Sequence, residues 1–212
     1  MKLTDKIECF NEDCMAVMAR YPDKYFDLAV VDPPYGIDIG NASQGMWATS
    51  KMERKDWDKS KPSFDYWSNL FRVSKNQIVS GGNYFGLPIS RGWIIWDKGE
   101  GFKGRDFAEC EMIWTSFDCN TRIFNRDPLA NGDYRGKIHP TQKPVALYDW
   151  IFKNYAETWM KILDTHGGSM SSVISADKAG LEMVCCELDN DYFDNAVERF
   201  KRYKSQEVMQ FK

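Results

Sequence analysis

The sequence predicts a mostly parallel, doubly wound α/β sheet, and three observations predict it. Short apolar runs recur along the 212 residues, amphipathic helical patterns lie between many of them, and no repeat or low-complexity segment breaks the alternation. With 43% hydrophobic and 28% charged residues, the chain suits a single domain, residues 1–212, that carries insertions.

The elements follow in order. "EDCMAVMARY" (12–21) places Cys14, Val17, Met18 and Tyr21 on one helical face. "DLAVVD" (27–32) is an apolar run of the kind a buried strand needs, and "FDYWSNLFRVS" (64–74) repeats the helical spacing. "NQIVSG" (76–81), "WIIW" (93–96) and "CEMIWTS" (110–116) read as further strands. A helix opens at Pro144, a favoured first position, and carries Val145, Leu147, Tyr148, Ile151 and Phe152. "KILDT" (161–165), a helix, and "EMVCCEL" (182–188) form a strand–helix–strand unit. "NDYFDNAVERFKRY" follows as a charged amphipathic helix capped by Asn190 or Asp191.

Two stretches do not fit. Residues 36–62 and 117–138 are polar, rich in Gly, Asn, Asp, Lys and Arg, and too long for ordinary connections. They read either as surface insertions or as substrate loops on one rim of the sheet, and Trp47 and Trp57 in the first lack a burial pattern.

Composition removes several classes. Nothing approaches eighteen consecutive apolar residues, so no helical membrane span is expected. The opening "MKLTDKIECFNED" has no apolar h-region, so a cytoplasmic protein without a secretory signal is expected. Cysteines 9, 14, 110, 119, 185 and 186 form no CxxC or Cys/His cluster, which suits reduced thiols and gives no zinc site. The net charge of −3 neither shows nor forbids a nucleic-acid partner.

Chemistry gathers at strand ends, where open α/β sheets bind ligands. Asp32-Pro33-Pro34-Tyr35 closes the 27–32 run in a rigid turn, because neither proline donates a backbone hydrogen bond. In "DTHGGSMSS" (164–172), Gly167-Gly168 allows a sharp turn and close backbone approach to a ligand. Glu187 ends the next strand about twenty residues on, where a ribose-binding acid is expected. "HPTQKP" (139–144) packs His139, Thr141, Gln142 and Lys143 before a helix start, a polar cradle for an anionic group with Lys143 as countercharge.

On these residues the chain resembles S-adenosylmethionine-dependent amino-methyltransferases acting on DNA, of the beta type, in which the catalytic motif precedes the cofactor motif. It is also similar to small methyltransferases of phages and prophages. The resemblance spans nearly the whole chain, with a weaker middle. Asp32-Pro33-Pro34-Tyr35 stands at the family's catalytic motif, and HPTQKP is a second marker. "DTHGGSM" stands at an Asp-Pro-Phe-x-Gly-Ser-Gly loop: Asp164, Gly168 and Ser169 keep their places, while Thr165, His166 and Met170 depart.

The resemblance implies a Rossmann-like, seven-stranded sheet with helices on both faces and a circularly permuted motif order. It implies S-adenosylmethionine held by Asp13, Cys14, Asp32, His139, Thr141, Gln142, Lys143, Asp164, Gly168, Ser169, Glu187 and Leu188, with His166 replacing the family's aromatic contact. "ECFNEDCMAVM" (8–18) would supply a short strand and then Asp13-Cys14 beside the adenine. Asp32, Pro33, Pro34 and Tyr35 would carry catalysis. The Asp32 carboxylate and Pro33 carbonyl would accept the hydrogens of a target amine, and Tyr35 would stack on the base.

The implied partner is double-stranded DNA, with a homodimer left open, and restriction–modification, marking of a phage genome and gene regulation all stay open as settings. The base would be flipped from the duplex. An acid at the first motif position points within the family to adenine N6, where serine accompanies cytosine N4; cytosine stays open. Lys51, Arg54, Lys55, Arg122 and Arg126 are available for phosphates. Two rivals are weighed beside this. A nicotinamide-dependent oxidoreductase needs a GxGxxG that is absent. A nucleic-acid-binding module without catalysis is motivated by the altered loop, and cofactor binding separates it from an enzyme.

Overall fold

Apolar residues alternate between two faces of one sheet, and helices cover each face. The computed structural model describes residues 1–38 and 58–210, with side chains to 206. Eight strands lie in the order β1-β8-β7-β2-β3-β5-β4-β6. They are β1 (Ile7–Phe10), β2 (Phe26–Val31), β3 (Ser74–Ser80), β4 (Trp93–Asp97), β5 (Cys110–Thr115), β6 (Arg122–Asn125), β7 (Lys161–Asp164) and β8 (Glu182–Cys186). The helices are α1 (Cys14–Met18), α2 (Phe64–Val73), α3 (Val145–Tyr155), α4 (Ser171–Ala179) and α5 (Asn190–Gln210).

From Leu28 to Val31 successive residues of β2 join opposite cores. Leu28 and Val30 join the core built with α3, α4 and α5, which includes Leu147, Ile151, Val173 and Phe200. Phe26, Ala29 and Val31 join the smaller core under α1 and α2, with Met18, Tyr66 and Leu70. A strand buried on both faces reads as a continuous apolar run, which is why 27–32 was legible.

The sheet has one strand more than the seven implied. The surplus cannot be read from pattern, because β6 lies inside the polar stretch 117–138 and its residues are exposed or half-buried. β5 runs antiparallel to both β3 and β4, whereas the other ladders between named strands are parallel. Helix starts shift slightly. α1 begins at Cys14 because the Asp13 side chain accepts the Met15 N–H. α5 is capped by Asp189, whose Oδ1 accepts from Tyr192 N at 3.0 Å, rather than by Asn190 or Asp191. No described helix is long and apolar enough to cross a membrane.

Topology fixes where a site can form. β2 continues through α2 to β3 on one side, and β7 continues through α4 to β8 on the other. Since β2 and β7 are neighbours, the crevice at their carboxyl ends is the topological switch point. The register Ala29↔Leu163 brings the residues three further on, Asp32 and His166, to the same rim.

Met170 enters α4 at φ 55°, in the left-handed region, and its side chain is fully buried. That conformation costs an L-residue roughly 1–2 kcal/mol, while deleting a buried Met side chain costs roughly 2–5 kcal/mol. Burial should win, so Met170→Gly is expected to destabilise the fold by roughly 1–3 kcal/mol in urea unfolding. A gain in stability would show that backbone strain dominates at this turn.

Candidate active site

Five segments meet at the switch point around a cavity of about 540 Å³. Asp32 and Pro34 reach it from the end of β2, Thr165 to Ser169 from the end of β7, and Glu187 and Leu188 from the end of β8. Asp13 and Cys14 arrive from the start of α1, and His139, Thr141, Gln142 and Lys143 from the turn before α3. The structure therefore brings together nearly all the expected cofactor residues. Asp164 is set apart: it lies beneath the loop and not on the cavity wall. Its Oδ1 accepts the His166 N–H at 3.0 Å and its Oδ2 the Ser172 hydroxyl at 2.5 Å.

The loop after β7 is held from several directions. Glu187 Oε2 accepts the Gly168 N–H at 2.7 Å and its Oε1 the Asp189 N–H at 2.9 Å. Gly167 is required by space, since a Cβ there would sit 2.6 Å from Cys185 Sγ. Arg199 of α5 donates to the Ser169 carbonyl at 2.6 Å and to Ser171 Oγ at 2.9 Å. The Tyr66 hydroxyl lies 2.7 Å from Thr165 Oγ1, which lies 2.9 Å from His166 Nδ1, so α2 fixes the imidazole. Arg199 and Tyr66 were not foreseen, because each acts from a helix remote in sequence and neither belongs to a motif.

Asp32 is engaged through both of its carboxylate oxygens. Its Oδ1 accepts from the Tyr35 hydroxyl at 2.8 Å and its Oδ2 from Lys143 Nζ at 2.5 Å. Lys143 is only 5% exposed, so its charge needs neighbours, and a second one is Glu111, with Oε2 at 3.3 Å. Glu111 in turn pairs through Oε1 with Lys98 at 2.9 Å. Burial raises the Asp32 carboxyl, Lys143 opposes that and Glu111 reinforces it. For Glu111 burial is outweighed by Lys143 and Lys98, which hold its carboxyl at about 2.

Acids at the carboxyl ends of parallel strands are the ones a strand pattern marks. Glu111 escaped because β5 is antiparallel, so its first residues reach that rim, opposite Trp96 near the end of β4. Lys143, expected as countercharge to a ligand, faces the chain's own carboxylates.

Tyr35 is also held. Its ring stacks on Tyr84 with centroids 4.8 Å apart and planes at 14°. Gly81, at φ 65°, leaves no room for a Cβ, which would lie 2.3 Å from Tyr35 Cε1. Asp58 Oδ1 accepts the N–H groups of Tyr35 and Gly36 at 2.7 and 3.0 Å, fixing the exit from the two prolines. Of the expected phosphate contacts, Arg126 is forked onto Asp133 at 2.7 and 2.8 Å, and exposed Arg122 reaches Asn154 at 2.8 Å. Lys51, Arg54 and Lys55 lie outside the described residues.

Residues 97–198 match the DNA methylase family. The Escherichia coli (strain K12) protein YubD is 23% identical over 198 residues, covering 85% of this chain and 84% of its own. The M1.HpyAVI–SAM complex superposes with a TM-score of 0.60 at 16% identity, over 91% of this chain and 99% of that one. PvuII DNA methyltransferase, cytosine-N4-specific, gives 0.58 at 13% identity, over 96% and 93%. The chain is thus similar to DNA methylases over residues 97–198, and the solved methyltransferase structures share its α/β fold.

Two buried groups of the loop titrate in opposite senses. Burial drives His166 down to about 4, with Asp13 opposing. The unfolded chain then takes up a proton that the native state refuses, so stability from this residue is full above about 6.5 and lost towards pH 4. Burial lifts Asp164 to about 7 against the Ser172 and His166 hydrogen bonds. Its contribution is full below about 3.8 and lost as pH rises through about 7. The slopes oppose one another. Denaturant titrations across pH 4–7 should show His166→Phe losing stability with rising pH and Asp164→Asn gaining it. Parallel curves for the two variants would refute the opposition.

Proposed function

We propose that the chain methylates the exocyclic N6 of an adenine flipped out of double-stranded DNA, using S-adenosylmethionine. The observation that carries this reading is the Asp32 carboxylate on the wall of the cavity that Glu187 and the 164–169 loop also line. The residues present suit the cofactor. The cavity of about 540 Å³ is in the range of small-molecule sites. Glu187 projects a carboxylate towards it for ribose hydroxyls. His166, neutral above about pH 4, presents a ring that does not repel a sulfonium cation. The Cys14 thiol, pushed up to about 12 by burial and then by Asp13, stays protonated and packs rather than reacts.

S-adenosylmethionine would supply an electrophilic methyl carbon whose bond to sulfur breaks as the new bond to nitrogen forms. Adenine N6 is a poor nucleophile because its lone pair is delocalised into the ring. Asp32 would accept a hydrogen from N6, favour a pyramidal nitrogen and take the proton that the methylated amine sheds. Its placement is the catalytic contribution, with no covalent enzyme intermediate. The Pro33 and Pro34 turn, Asp58 and the Tyr35 hydroxyl make that placement rigid. We assign Tyr35 to holding Asp32 through its hydroxyl, with its ring as one wall for the base. The acid at position 32 supports adenine over cytosine.

Asp32→Ala should lower methyl transfer by about 10²–10⁴-fold while cofactor affinity changes little, whereas Glu187→Ala should weaken cofactor binding in calorimetry. Nucleoside mass spectrometry of treated DNA identifies the base: N6-methyladenine is expected, and N4-methylcytosine would reassign it. Cofactor bound without transfer to either base would favour a binding module.

DNA affinity should fall with salt. Lys51→Ala, Arg54→Ala and Lys55→Ala together should flatten the log–log salt slope by about three and spare cofactor affinity. An unchanged slope would make these residues an ordinary solvated surface.

A further inference from the structure

The acceptor that this reaction needs is already engaged in the structure. Both carboxylate oxygens of Asp32 are taken, one by the Tyr35 hydroxyl and the other by the Lys143 ammonium at 2.5 Å. Each oxygen already accepts one strong hydrogen bond, so an incoming amine must share Asp32 with these partners or displace one of them. Lys143 is the partner with an alternative. Its Nζ already stands 3.3 Å from Glu111 Oε2, and that oxygen is buried and has no hydrogen bond of its own. An unsatisfied buried carboxylate oxygen is costly, so a waiting acceptor lies beside the ion pair. The other oxygen of Glu111 is anchored by Lys98, whose ammonium lies 5.3 Å from the ring centres of Trp96 and Phe102.

Resting on the methyltransferase reading, we propose that Glu111 is a positioning residue that takes Lys143 from Asp32 when the target amine arrives. The lysine shifts from one carboxylate to the other, so the buried charge is never left without a counterion. Oδ2 of Asp32 is then open to the amine hydrogen, and Tyr35 keeps Oδ1 oriented. The exchange needs only a small movement of one ammonium group between atoms already in place. It also explains why a carboxylate with no motif around it is buried against the catalytic turn, and why a second lysine is spent on holding it.

The charged and titratable groups around Asp32 are Tyr35, Lys143, Glu111 of β5, Tyr148 of α3 and Asp164 of β7. Replacing Glu111 by Gln removes a negative neighbour and leaves Lys143 committed to Asp32. Glu111→Gln should therefore lower kcat about tenfold or more, the loss of one hydrogen bond to a charged group, with cofactor affinity unchanged. The acidic limb of its kcat–pH profile should move to lower pH, and Glu111→Asp should restore part of the rate. A merely structural Glu111 would alter folding or cofactor binding without moving that limb, and a wild-type rate and profile would overturn the proposal.

A second measurement is independent of activity. A crystal structure of Asp32→Asn should show Lys143 Nζ hydrogen-bonded to Glu111 Oε2. A lysine that stays on the side chain at position 32, or that turns into the cavity, overturns the proposal even if the wild-type enzyme methylates neither base. Absence of methylation with the lysine transferred would instead overturn only the functional reading.

Discussion

A lysine with almost no access to water organises the rim of this sheet. An ammonium group so deeply placed is stable only with well-placed opposite charges, and removing one partner leaves an uncompensated charge. Lys143 obtains its partners from two distant parts of the chain, Asp32 after β2 and Glu111 at the start of β5. Each acid is raised by burial and drawn down by the lysine, and the lysine is raised by both acids against the effect of burial. Neither half of the sheet can relax without exposing the other to that electrostatic cost.

The cofactor side of the cavity follows a different rule. Backbone amides, hydroxyls and the Arg199 guanidinium hold the loop after β7 through hydrogen bonds, and burial pushes His166 down and Asp164 up, each towards its uncharged form. Glu187 caps the loop through the Gly168 amide, and Asp164 ties its two ends to His166 and Ser172. The cavity thus has one wall dominated by paired charge and another by oriented amides.

Much of the fold was legible because doubly buried strands leave unbroken apolar runs such as "DLAVV", and capped helices leave 3.6-residue periodicity. The site was legible wherever a strand ended in unusual residues, as at Asp32 and Glu187. What escaped lacks either signal. β6 has no apolar run, Glu111 begins a strand instead of ending one, and Tyr66, Arg199 and Asp58 act through space from segments without a motif. Asp164 shows the converse: its place in the motif was legible, but not that its carboxylate turns to His166 N and Ser172 Oγ. Direction of strand and orientation of side chain are tertiary facts, and sequence spacing does not carry them.

The pairing of β1 with β8 has a consequence for the order in which the molecule comes into being. As the chain is synthesised, Asp13, Cys14 and Asp32 emerge early, but the strand that completes their edge of the sheet is Glu182–Cys186, and Glu187 follows it. The DPPY turn must wait through most of translation before its cavity has a second wall. Long-range strand pairing of this kind is slow to close and leaves hydrophobic edges unpaired meanwhile. A ribosome pause or truncation anywhere before β8 would therefore yield an acidic turn with no pocket, and the cavity would be complete only when that strand has inserted.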